Sequence, residues 1–323
     1  MNPPEKVIEV IRKNSAFLIT SHKSPEGDAI GSELALALAL EKIGKNAEIR
    51  NLDPVPETYK FLPQSERIGK TERIDKRYDI LFLVDCGNTE RTGWADTGNI
   101  PADSIFVIDH HRTESPHKDN GWIEPDASST GEMIYSLIVS LGVDIDLDMA
   151  VNIYTAIMTD TGSFRYSSTT PEAFRIAGTL VEKGIDPSKI NEEVYEKLPF
   201  RKLKLFSYVL KTIDRNRDGN VAWMTINKRM FSLTGTKSED TEEFVNSLRS
   251  IKGVEVAILF RQTGSRSYKL SLRSRGRVDV ARIAEALGGG GHREAAGCEI
   301  KGSISKIRKR VIGIVEEAIQ NKN

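Results

Sequence analysis

Four short stretches carry the side chains that could do chemistry in this chain. They are His22-Lys-Ser-Pro-Glu26-Gly-Asp28, Asp85-Cys-Gly, Asp109-His110-His111 and Asp160-Thr-Gly. Together they supply imidazoles and carboxylates but no paired cysteines, a donor set that suits an open, catalytic site for Mn²⁺ or a similar ion better than a structural zinc site. More candidate ligands than one ion takes point to two. Two ions about 3.5–4 Å apart that share a carboxylate form an arrangement suited to in-line attack at phosphorus. Each stretch also has a plainer reading: Asp28 as a helix cap, His22 as surface polarity, Asp85 as a turn cap and Asp-His-His as a chance tripeptide. Cys86, next to Asp85, is set aside as a nucleophile. Convergence of the four stretches on one place would decide for the metal.

The elements around these stretches bring them together. Ala16–Ile19, Ile80–Val84 and Ile105–Ile108 are apolar runs that read as buried strands, and chemistry begins where each ends. A further short strand is expected over Ala47–Arg50. Helices are expected over Glu5–Lys13, from about Ser32 to Ile43 before Gly44, from a Thr130 cap to Leu141, and from Pro171 to Lys183 before Gly184. Val151–Met158 is helical or extended and ends at Asp160. Strands alternating with helices imply an α/β fold with a largely parallel sheet, whose strand ends share one edge.

The second half changes character. After a Lys/Arg/Glu-rich stretch read as a helical connector, Val221–Met224, Val254–Leu259 and Tyr268–Leu272 read as strands, with helices near 241–250, 280–287 and 304–319. Residues 261 to 282 carry seven basic residues (Arg261, Arg266, Lys269, Arg273, Arg275, Arg277 and Arg282) against the single acid Asp279. A solvated strand edge would account for that charge. The run Gly288-Gly289-Gly290-Gly291-His292 exceeds what a helix stop needs, and backbone N–H groups without side chains can approach a phosphate closely.

Composition bounds the rest. Lys+Arg and Asp+Glu both number 46, so net charge gives no argument for a polyanion partner. The N-terminus lacks the apolar core of a signal peptide, and no apolar run could span a bilayer. Two cysteines in 323 residues suit a reducing compartment, so the expected location is the cytoplasm with no membrane partner.

In order and spacing, the four stretches resemble the motifs of the DHH phosphoesterases. Leu272-Arg273-Ser274 and the Gly288–Gly297 segment resemble the DHH-associated C-terminal domain, and the pair is similar to the bifunctional oligoribonuclease and PAP phosphatase (nanoRNase) group over nearly the whole chain. The resemblance implies a DHH domain over residues 1–190, a helical connector over 191–215 and a smaller α/β DHH-associated domain over 216–323. It implies that His22, Glu26 and Asp85 hold one ion and that Asp28, Asp85, His110 and Asp160 hold the other. His111 would meet the substrate phosphate or the nucleophile, and Asp109 would orient the two imidazoles.

Arg273, Gly289, Gly290, Gly291 and His292 would bind substrate, Arg273 as a fork donor. The implied cofactors are two divalent ions, Mn²⁺ before Mg²⁺ or Co²⁺. The implied substrates are short RNA oligonucleotides, cut to nucleoside 5′-monophosphates, and the nucleoside bisphosphate 3′-phosphoadenosine-5′-phosphate, cut to AMP. A homodimer is a family trait that no apolar stripe here demands. One departure stands out: the family usually has Asp at the position of Glu26, and one extra methylene moves the carboxylate outward by about 1.5 Å. The alternatives are a family II-type inorganic pyrophosphatase, a RecJ-like single-strand exonuclease and a catalytically weak nucleotide sensor.

Overall fold

Three of the apolar runs that precede a chemical stretch, Ala16–Ile19, Ile80–Val84 and Ile105–Ile108, lie in central strands of one parallel sheet, and the fourth, Val151–Met158, lies in a helix. The computed structural model describes residues 3–71, 74, 76–93, 101–111, 117–241, 243–291 and 293–320. These form two compact units, residues 1–197 and 198–323.

In the first unit the chain runs through α1 (Glu5–Lys13), β1 (Ala16–Thr20), α2 (Gly27–Lys42), β2 (Asn46–Asn51), β3 (Gly69–Lys70) and β4 (Tyr78–Val84). It continues through α3 (Thr89–Thr92), β5 (Ala102–Asp109), β6 (Gly121–Ile123), α4 (Thr130–Ser140), α5 (Leu147–Asp160), α6 (Pro171–Glu182) and α7 (Pro187–Asn191). The strand order is β3-β2-β1-β4-β5-β6, and every pairing is parallel. Strand order reverses direction at β1/β4, and the crevice beyond the carboxyl ends of two such strands is where doubly wound sheets bind ligands. His22 follows one of these strands and Asp85 the other.

Both faces of this sheet are covered, which is why its strands read as unbroken apolar runs. Along β4, Ile80, Phe82 and Val84 enter the main core while Leu81 and Leu83 enter a smaller core on the opposite face. Helix α2 starts at Gly27, five residues before the expected Ser32, and is buried from Gly27 to Leu40. Its glycines are packing residues and not loop punctuation: a Cβ on Gly31 would sit 2.3 Å from the Asn152 carbonyl oxygen of α5. Gly131 plays the same part for α4, since its Cβ would fall 2.5 Å from Ala156. The N-termini of α2 and α4 and the C-terminus of α5 crowd together because no side chain stands between them.

The second unit contains α8 (Phe200–Leu210), β7 (Asp214–Arg215), β8 (Val221–Ile226), α9 (Lys228–Thr234), α10 (Phe244–Arg249), β9 (Val256–Gln262) and β10 (Ser267–Ser274). It ends with α11 (Val280–Glu285), β11 (Gly290–Gly291), β12 (Ala295–Lys301) and α12 (Ile304–Gln320). Its sheet has the order β11-β12-β10-β9-β8-β7, with β8/β9 parallel and the other pairs antiparallel. The stretch expected as a connector contains α8, whose Leu205 and Val209 are buried in this unit's core. Strand β12 escaped the sequence reading because Ala295-Ala296-Gly297 has too little bulk to announce a strand. Among the described residues, no helix is long and apolar enough to cross a membrane.

Candidate metal centre

Asp85 is the hub of the first unit's edge. Its N–H completes the ladder to the Ile108 carbonyl at 2.9 Å, and its backbone then turns into the left-handed region with φ 55°. Aspartate tolerates that conformation better than most residues. Non-glycine residues held there cluster at functional sites. The turn leaves the carboxylate facing three imidazoles: His22 Nε2 lies 3.5 Å from Oδ2, while His111 Nδ1 and His110 Nε2 lie 3.4 and 3.8 Å from Oδ1. Burial works to raise the Asp85 pKa, but His111, His22 and His110 outweigh it and hold the carboxyl well below its ordinary range.

The ends of β1, β4 and β5 share the expected edge, and Asp28 and Asp160 reach it from helix ends. Asp28 sits in the first turn of α2 and accepts from the N–H groups of Thr130 (2.7 Å) and Gly131 (2.8 Å), the open N-terminus of α4. Asp160 is the last residue of α5, with its side chain 35% exposed, and its Oδ2 lies 3.4 Å from His110 Nε2. Burial, then Asp85 and Asp160, push the Asp28 pKa well up. Burial lifts Asp160 as well, only partly offset by His110. Burial would lower His110, but Asp160, Asp28 and Asp85 raise it above the usual imidazole value.

Neighbours fix the ring orientations. His110 Nδ1 faces the Ala127 carbonyl at 3.3 Å and His22 Nδ1 the Lys23 carbonyl at 2.8 Å, so each presents Nε2 to the carboxylates. Asp109 is fully buried, and its Oδ1 takes both the N–H (3.1 Å) and Nδ1 (2.5 Å) of His111.

The sets Asp85/His110/His111 and Asp28/His110/Asp160 each bring three ligand atoms within 4.8 Å of one another. The ion pairs that these aspartates make among the described residues are to imidazoles and not to Lys or Arg. Crowded carboxylates and imidazoles that pair with no Lys or Arg among the described residues fit a divalent ion. Glu26 belongs to neither set; it is exposed at the N-cap of α2, near enough to Asp160 to raise that group's pKa. Cys86 is buried, its thiol is pushed up to about 12 by burial, and it donates to the Asn88 carbonyl, all unlike a nucleophile.

The start of α4 was expected at a Thr130 cap, but its part in the site was not. Thr130 is its first residue and Ser129 its cap, and the Thr130 hydroxyl donates to Asp85 Oδ1 at 3.0 Å. Buried Glu132 accepts from the N–H and hydroxyl of Ser128 and anchors the loop below. The pattern Ser129-x-x-Glu132 before an apolar run was the available signal.

In the second unit, register places Arg261, Lys269 and Arg273 on one side of the sheet, with Ser271 and Gly297. The basic run is otherwise divided in its tasks. Arg275 caps α10 by donating to the Arg249 and Ile251 carbonyls, and Arg282 lies 3.7 Å from Asp279. The four glycines also differ from one another. Gly288 closes α11 with φ +82°, and the N–H groups of Gly288 and Gly289 already donate to Glu285 and Ala284. A Cβ on Gly289 or Gly291 would strike the backbone of β12, whereas one on Gly290 would meet open space. His292 lies outside the described residues.

A parallel sheet with this strand order, carrying clustered aspartates and histidines at its switch point, is the frame of a metal-dependent phosphoesterase. Residues 16–159 match the DHH family N-terminal domain and residues 225–319 the DHHA1 domain. The chain belongs to the DHH family of phosphoesterases. It is 32% identical over 317 residues to the bifunctional oligoribonuclease and PAP phosphatase NrnA of Thermus thermophilus, covering 97% of this chain and 93% of that one. The corresponding NrnA of Bacillus subtilis is 26% identical, with 91% and 92% covered. The crystal structure of an exopolyphosphatase-related protein from Bacteroides fragilis superposes with a TM-score of 0.88 at 30% identity, covering 98% of this chain and 95% of that one.

Proposed function

We propose that this chain hydrolyses short RNA oligonucleotides to nucleoside 5′-monophosphates and 3′-phosphoadenosine-5′-phosphate to AMP, with two divalent metal ions, Mn²⁺ foremost. The observation that carries the reading is the set of aspartates and histidines gathered around Asp85 in a chain of which 97% aligns with the NrnA of Thermus thermophilus. His22, Glu26 and Asp85 would hold one ion; Asp28, Asp85, His110 and Asp160 would hold the other. When bound, the ions supply Lewis acidity and lower the pKa of water.

The chain's own groups do the rest. Asp85, held ionised by three imidazoles, keeps two ligand directions open, and the α4 N-terminus holds Asp28 toward the same place. His111 is the candidate donor to the phosphate or the leaving oxygen, and Asp109 fixes its ring. Arg273, Gly289–Gly291 and His292 of the second unit are the candidate substrate-binding residues. With the N–H of Gly289 already donated within α11, Gly290, Gly291 and Arg273 carry most of that assignment. Two unpaired, buried cysteines suit a cytoplasmic place for this activity.

Incubation of the full chain with Mn²⁺ and, in parallel, a dinucleotide, 3′-phosphoadenosine-5′-phosphate, pyrophosphate and a long single strand tests the reading. Consumption of the first two is expected. Cleavage of pyrophosphate alone would overturn it.

A further inference from the structure

Two buried polar side chains next to the metal centre have no part in the account above. Asn51 is the last residue of β2, two positions beyond the final β1/β2 pair, Ile19↔Ile49. There its side chain continues the ladder that the backbone has abandoned. Asn51 Oδ1 accepts from the N–H of Ser21 (3.1 Å) and the hydroxyl of Thr20 (3.2 Å), the two residues before His22. On its other side Nδ2 donates to Glu33 Oε2 at 2.9 Å. Glu33 is fully buried, on the second turn of α2, and its Oε1 finds no partner among the described residues.

A buried amide and a buried carboxyl are costly where apolar side chains would fit, so packing alone does not account for them. Their geometry does: they tie the helix that carries Asp28 to the strand end that carries His22. Two further contacts hold the loop beyond that point, Lys23 N–H to the Arg91 carbonyl and Ser24 N–H to Asp53 Oδ2, both 2.8 Å. Neither reaches the residues before His22. Beyond the last β1/β4 pair, Thr20↔Leu83, the Asn51 side chain takes the N–H of Ser21 and so helps set the direction in which the chain leaves β1.

We propose that Asn51 and Glu33 are positioning residues for His22, a buried hydrogen-bonded link between α2 and β1 that sets the imidazole beside Asp85. The inference rests on the two-ion reading above. Groups that orient a ligand typically change metal affinity about 10- to 100-fold when removed. Loss of the link should therefore weaken the ion held by His22 and spare the other.

The test is a Mn²⁺ titration of the metal-free full chain, read by electron paramagnetic resonance of the free ion, on the wild type, Asn51→Leu, Glu33→Leu and Glu33→Gln. Thermal melts check folding, and Asn51→Ser replaces Asn51→Leu should that variant not fold. Both leucine variants should lose one of two sites by about tenfold or more and keep the other within about twofold, while Glu33→Gln, which still accepts from Asn51, keeps both. Retention of both sites in the leucine variants overturns the link. So does a Glu33→Gln loss equal to that of Glu33→Leu, which would assign the effect to charge. A wild type that binds fewer than two ions is a separate result, which removes the two-ion reading and this inference with it.

Discussion

Asp85 and His22 meet at 3.5 Å through Asp85 Oδ2, while the other oxygen of the same carboxylate turns to His110 and His111. One side chain thereby links the end of β1 to the end of β5 across the sheet's switch point. A carboxylate whose two oxygens face different imidazoles has the geometry needed to serve two ions.

Thr130 completes that hub from the α4 side. Thr130→Val removes the hydroxyl that donates to Asp85 Oδ1 and keeps the shape. The expected outcome is a kcat lower by about tenfold, the scale on which groups that support a metal ligand act, with KM little changed. Steady-state kinetics on a dinucleotide check it, and an unaltered kcat would count against Thr130 as a support for Asp85.

Asp109 acts through His111. Asp109→Asn keeps the shape but removes the carboxylate whose Oδ1 takes both the N–H and Nδ1 of His111, so the ring loses its fixed orientation. The kcat should fall about 10- to 100-fold while two Mn²⁺ sites persist. A kcat equal to that of the wild type would contradict this role.

Metal affinity should depend on pH with a definite sign. Asp28, Asp160 and His110 all have pKa values raised in the metal-free chain, so they hold protons at pH values where free groups would have released them. An ion must displace those protons, and its affinity rises as pH rises through that range. Calorimetric titration with Mn²⁺ at pH 6 and pH 8 should show tighter binding, with fewer protons released, at pH 8. Equal affinity at both values would mean that the cluster is not the binding place.

Close helix packing underlies the site. Gly31→Ala places a Cβ 2.3 Å from the Asn152 carbonyl oxygen, and backbone cannot yield as a side-chain tip can. Overpacking of this kind costs about 1–3 kcal/mol, which a denaturant melt will register as a lower midpoint. Mn²⁺ binding should weaken in parallel, since α2 and α5 carry Asp28 and Asp160. A midpoint equal to the wild type would show that the helices can separate freely.

Much of this was legible in the sequence for a physical reason. Buried parallel strands must be apolar on both faces, so the polar residues that end β4 and β5 stand out against Ile80–Val84 and Ile105–Ile108. The ligand types at Asp28 and Asp160 were legible too, but the start of α2 was not, and the element ending at Asp160 was left between helix and strand. The helix was expected only from about Ser32, after Gly27 and Gly31, and only the neighbouring helix reveals that these two are small for packing. The contribution of Thr130 and Gly131 through backbone N–H was hidden, because a peptide group carries no residue type. Conversely, the glycine run invited one role, and three-dimensional contacts divide it: a helix stop at Gly288, close approach to β12 at Gly289 and Gly291, and open space only at Gly290.

The most direct test of a phosphoesterase centred on Asp85 is chromatography of a dinucleotide incubated with Mn²⁺ and either the wild type or Asp85→Asn. Removing one transition-state-stabilising group costs about 10²–10³ in kcat, and a ligand shared by two ions should cost at least that. The account predicts conversion to mononucleotides by the wild type and no detectable product from a folded Asp85→Asn chain. Near wild-type turnover by Asp85→Asn would contradict it.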